Sequence, residues 1–159
     1  MKKKIYSESI ILILLGSFSS LSLPPFNYFL INFLTFGFFY ILLIKIFDAN
    51  KAKKLFFLYG WLFGLGYFTS NLYWISISLT FDESFKFLIP LAIILVPAFL
   101  ALFYGFASFL FLFFKPKKNL SSFFLFSLIF GTIEFIRGTI LTGFPWNLIA
   151  YSFSNHIEI

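Results

Sequence analysis

Glu134 and Arg137 are the opposite charges that fall together inside one long apolar stretch of this chain. Three residues apart, they share a helix face. Counted from Leu120 at ~1.5 Å per residue, Glu134 stands about 21 Å and Arg137 about 26 Å along the axis, in the outer third of a bilayer. Charge at that depth is costly unless paired or wetted, and marks a functional position by default. Arg137 can offer its fork of donors to a lipid phosphate or ester near the outer surface. The other reading is a self-neutralising pair that only holds the helix in register.

The same stretch ends in Leu141-Thr142-Gly143-Phe144-Pro145-Trp146-Asn147. Gly143 suits a left-handed cap and Pro145 prevents further helix. Phe144 and Trp146 have the amphipathic build of interfacial anchors. A second cluster runs Gly60-Trp61-Leu62-Phe63-Gly64-Leu65-Gly66-Tyr67-Phe68, then Asn71, Tyr73 and Trp74. Counted from Leu55, Trp74 lies ~29 Å along its helix, near the same outer level. Asn71 is slightly deeper and needs a partner in lipid. Arg137, Trp146, Glu134, Asn71 and Trp74 are therefore the candidate lipid-lining residues. His156, with no neighbouring acid or nucleophile, reads as a surface residue.

Composition states what must position them. The chain has 159 residues, 60% hydrophobic and 11% charged, against roughly 25% charged in a soluble domain. So little polar surface cannot coat a water-soluble globule. The net charge of +6 comes from clumps between apolar runs rather than a stripe, so no nucleic acid partner is expected. Cysteine is absent, which removes disulfides, thiolate metal sites, lipid attachment and a cysteine nucleophile from these residues. With one histidine and six acidic residues, a metal cluster is not expected, and no cofactor is implied.

The expected fold is all-α, an integral membrane bundle of about five spans: Ile10–Leu23 (extended by Tyr6–Ser9), Phe26–Phe47, Leu55–Leu79, Phe87–Phe114, and Leu120 to about Thr142. Ten of the twelve basic residues fall on one side of this arrangement, leaving Lys86 and Arg137 toward the other. The positive-inside rule then puts the N-terminus in the cytoplasm and the C-terminal end in the periplasm. Met1–Ser22 also has the build of a signal peptide, but Leu23-Pro24-Pro25-Phe26 leads straight into another span, as a tight hairpin does. Pro97 should kink the fourth span, and Gly60 with Gly64 should admit a close helix neighbour. No internal repeat, long linker or soluble domain is evident.

At Leu23-Pro24-Pro25-Phe26, Gly60–Gly66 with Leu72-Tyr73-Trp74-Ile75, and Glu134-Phe135-Ile136-Arg137-Gly138 followed by Leu141–Asn147, the sequence resembles the N-terminal membrane part of the apolipoprotein N-acyltransferases. The resemblance implies a multi-pass bacterial inner-membrane enzyme. Its acyl donor is a phospholipid, and its acceptor is the α-amine of the diacylglyceryl-cysteine at an apolipoprotein's N-terminus. The family uses a periplasmic nitrilase-like domain with a Glu-Lys-Cys triad, whose cysteine is acylated first and then attacked by the amine. Trp146 matches a cavity-lining tryptophan of the family and Arg137 its outer-surface arginine.

Residues 1–159 contain neither that domain nor a cysteine. The chain is accordingly read as an N-terminal fragment: a truncated gene, an incomplete reading frame, or half of a split enzyme. By itself it is expected not to transfer acyl groups. A non-catalytic scaffold completing a partner is the second reading. A small transporter is a third, disfavoured because its ionisable groups belong near the bilayer midplane.

Overall fold

The computed structural model describes residues 2–49, 51–114, 119–140 and 147–156, and these contain helices and turns without a strand. Six α-helices follow in order: α1 (Lys2–Ser19), α2 (Leu30–Lys45), α3 (Ala52–Asn71), the short α4 (Trp74–Ser78), α5 (Ile89–Phe113) and α6 (Leu120–Thr139). Single 3-10 stretches occupy Ser20–Ser22, Glu83–Leu88 and Ile149–His156. Local chemistry marks several of the boundaries. The Asn119 side chain accepts the Ser122 amide at 2.8 Å and caps α6, and Asp82 likewise takes the Ser84 amide.

α3 is the central helix, packed between α1 and α5. As the Gly60/Gly64 spacing predicts, the α3–α5 contact is backbone-close: a Cβ on Gly60 would overlap the Tyr104 carbonyl oxygen and the Ser108 hydroxyl. On the opposite face Gly66 sits against the Ile13 carbonyl of α1. Small residues let helices approach where burial of apolar surface supplies no driving force. Where α2, α3, α5 and α6 meet, Phe39 stacks on Phe63 at 4.4 Å, ringed by Phe36, Tyr104, Phe126 and Phe130.

Apolar side chains cover the outside of the bundle as well as filling its core. Large apolar residues such as Phe33, Leu34 and Phe38 of α2, and Phe124, Leu128 and Phe135 of α6, point outward. Glu8, Ser19, Asn32, Thr35, Glu134 and Arg137 are buried. Two helical runs, Glu83–Phe113 and Leu120–Thr139, are long and apolar enough to cross a membrane; Tyr6–Ser22 and Leu30–Lys45 are apolar but shorter.

One sequence expectation is corrected. The run Leu55–Leu79 is not one helix, because α3 stops at Asn71 and α4 starts anew at Trp74. The Asn71 carbonyl, which would receive the Ile75 amide in a continuing helix, instead accepts the Asn147 side-chain amide at 3.1 Å. The Ile75 amide bonds to Leu72. Glu134 is not the only buried acid among the described residues. Glu8 in α1 takes the Tyr59 hydroxyl at 2.5 Å and lies 3.3 Å from Lys45 of α2.

The topology has two distinct ends. The ends of α1 and α3 and the start of α2 meet at one, together with the Leu23–Asn27 turn, where the Phe26 and Asn27 amides both bond to the Leu23 carbonyl. Lys45, Lys51, Lys53 and Lys54 lie at the other, where Tyr40 reaches the Asn119 carbonyl at the start of α6.

Candidate functional site

α6 presents Glu134 and Arg137 on one face, as their spacing predicts, and both turn into the protein. Arg137 is 0% exposed and Glu134 7%. Arg137 Nε and Nη2 donate to Glu134 Oε1 at 3.1 and 2.9 Å. The Ile149 backbone amide donates to the other oxygen, Oε2, at 2.9 Å. The guanidinium also lies 4.9 Å from the centre of the Phe68 ring, and Nη2 reaches the Asn147 carbonyl at 3.4 Å. Charge is thus neutralised locally within α6, and the remaining partners come from α3 and the 147–156 segment.

Asn147 is the joint between these elements. Its carbonyl accepts the Tyr67 hydroxyl at 2.9 Å as well as Arg137. Its own amide closes the end of α3, and the Asn71 side chain bonds back to the Tyr67 carbonyl at 2.9 Å. Asn71 therefore finds its partner within its own helix. Asn147 has a φ of 40°, in the left-handed region that asparagine tolerates better than most residues.

In front of this joint opens a cleft of about 470 Å³. Asn71, Tyr73 and Trp74 form one wall, the Leu23-Pro24-Pro25-Phe26 turn with Ser20 a second, and Asn147, Tyr151 and Ser154 a third. Three sequence blocks far apart in the chain converge there. Among the described residues the lining is hydroxyl, amide and apolar, with no charged side chain. It can hold an acyl chain beside neutral hydrogen-bonding groups such as an ester or a peptide.

Of the residues singled out in the sequence, Asn71 and Trp74 line the cleft, while Glu134 and Arg137 sit behind its wall. Trp146 lies outside the described residues, though its neighbour Asn147 is a lining residue. His156 ends the Ile149–His156 stretch. Sequence reasoning missed Tyr67, whose hydroxyl meets the joint, and Phe68, whose ring covers the guanidinium. Both stand in the quoted Gly60–Phe68 run, but an aromatic among 29 phenylalanines and eight tyrosines carries no mark of its own. Glu8 had a clearer signal, an acid in an otherwise basic and apolar N-terminal helix.

The fold and site define a helical bundle with a buried ion pair under a neutral cleft. Residues 15–159 match the family model described as the apolipoprotein N-acyltransferase N-terminal domain. The chain belongs to this family. It is 39% identical over 156 residues to an apolipoprotein N-acyltransferase of Rhizobium etli, an alignment covering 92% of this chain and 28% of the relative. Similar matches are those of Brucella melitensis, 39% identical with 86% of this chain and 27% of the relative covered, and of Rickettsia bellii, 39% identical with 94% and 29% covered. The chain thus spans between a quarter and a third of the length of these curated relatives. No solved structure matches it.

Proposed function

We propose that residues 1–159 form the membrane-embedded N-terminal part of an apolipoprotein N-acyltransferase, crossing the bacterial inner membrane several times. The lysine-rich end faces the cytoplasm and the cleft end the periplasm. The cleft receives the acyl region of the phospholipid donor close to where the apolipoprotein's diacylglyceryl-cysteine docks. The family resemblance implies that acyl transfer runs through a cysteine of a nitrilase-like domain, and residues 1–159 carry no cysteine, so we assign that step to a domain outside them.

One observation carries this reading. Residues from each of the three blocks on which the family resemblance rests, Leu23–Phe26, Tyr73 with Trp74, and Asn147, line a single cleft at the end of the bundle opposite Lys45, Lys51, Lys53 and Lys54. The membrane setting is supported by outward-facing Phe and Leu side chains beside a buried Glu134–Arg137 pair.

The test uses a full-length acyltransferase whose N-terminal region is this sequence. Trp74→Ala and Trp146→Ala should each reduce N-acylation of a diacylglyceryl lipopeptide while membrane insertion stays normal. Unchanged acylation in both variants, with both inserted, overturns the assignment of the cleft.

A further inference from the structure

The wall of the cleft formed by the Ile149–His156 stretch is anchored by a second polar network, which meets the Glu134–Arg137 pair at Ile149. Asn32, in the first turn of α2, is 6% exposed and has no place in the cleft lining. Its carboxamide oxygen accepts the Ser19 hydroxyl at 2.6 Å, and its amide nitrogen donates to Ser152 Oγ at 3.1 Å. The Ser152 hydroxyl spends its own proton on the Ile149 carbonyl at 2.7 Å. It must therefore accept from Asn32, which fixes the orientation of the carboxamide. Thr35 Oγ1 lies 3.2 Å from Ser19 Oγ, and the Phe153 ring rests against Phe29 at 5.7 Å.

Ile149 is thus gripped from both sides. Its amide goes to Glu134 of α6, and its carbonyl goes through Ser152 to Asn32 of α2. Between and beside these two anchors lie Asn147, Tyr151 and Ser154, which face the cleft. A buried hydrogen bond in an apolar surround is worth more than one in water, and losing one partner leaves the other unsatisfied. We infer that Asn32 is a positioning residue for the cleft, holding the 147–156 wall through Ser152 without touching what the cleft binds. The functional part of this inference rests on the cleft being the acyl-donor site.

Hydrogen–deuterium exchange on the full-length enzyme in nanodiscs, paired with acyl-transfer kinetics, tests both parts. Asn32→Ala and Ser152→Ala should each speed exchange in the 147–156 peptide by about tenfold, leaving α3 and α5 protected. KM for the phospholipid should rise about fivefold with kcat nearly unchanged, and the double variant should be no worse than either single one. Unchanged exchange at 147–156, equal loosening of α3 and α5, or additive effects in the double variant overturns the positioning role. Should Asn32→Ala not accumulate, Ser152→Ala decides alone, since it cuts the same link from the wall side. Local loosening with an unaltered KM upholds Asn32 as the anchor and removes the acyl-donor assignment instead.

Discussion

Asn147 ends α3 by donating its side-chain amide to the Asn71 carbonyl at 3.1 Å, across 76 residues of sequence. That bond occupies the acceptor a continuing helix would have given to Ile75. The chain turns at Leu72, and Trp74 is delivered to the cleft on a separate short helix. One long-range hydrogen bond thereby converts an uninterrupted apolar run into a wall with a corner.

Removing that bond should be felt locally. Asn147→Ala keeps the backbone carbonyl that Tyr67 and Arg137 use but leaves the Asn71 carbonyl without its donor. The expected loss is about 1 kcal/mol, the net worth of a part-buried hydrogen bond. Thermal unfolding in detergent reads the loss, and faster amide exchange at residues 72–75 reads its place.

The ion pair gives a sharper contrast. Arg137→Ala strands the Glu134 carboxylate in the interior and should destabilise by ~3–5 kcal/mol. The double variant Glu134→Gln with Arg137→Leu removes both charges while Gln can still accept the Ile149 amide. It should melt higher than Arg137→Ala alone. A double variant that melts lower would mean the pair contributes more than mutual neutralisation.

Glycine positions separate packing from propensity. Gly60→Ala drives a methyl into the Tyr104 carbonyl and should cost about 1–3 kcal/mol by overpacking. Gly37 and Gly131 have open space where a Cβ would stand, so Gly37→Ala and Gly131→Ala should be neutral or stabilise by roughly 0.5–1 kcal/mol. Denaturation midpoints of the three variants, measured together, check the α3–α5 contact directly.

Sidedness can be read without background, because this chain has no cysteine of its own. With Ser84→Cys or Lys53→Cys introduced singly, a membrane-impermeant maleimide should label position 84 in intact spheroplasts. Position 53 should label only after permeabilisation. The opposite pattern would place the cleft in the cytoplasm and end the acyltransferase reading.

The amino-acid sequence by itself determined the helical class, a close helix neighbour at Gly60 and Gly64, and the shared face of Glu134 and Arg137. Each depends on short spacings: runs of apolar residues, glycines four apart, charges three apart. Helix geometry converts such spacings into shared faces without help from elsewhere. Helices over the first and fourth apolar segments were legible for the same reason: α1 covers most of the first, and α5 begins and ends within two residues of Phe87–Phe114. Only the tertiary structure decided that α3 stops at Asn71, that Glu8 meets Tyr59 and Lys45, and that Arg137 faces Phe68 and Asn147 rather than the surface. In a chain that is apolar all round, hydrophobic periodicity no longer says which face is inward. The inward face is set instead by where scarce polar groups find partners, and those partners are 51, 76 and 120 residues away. A backbone carbonyl can be claimed by a side chain from any distance along the chain, and no local pattern records the claim.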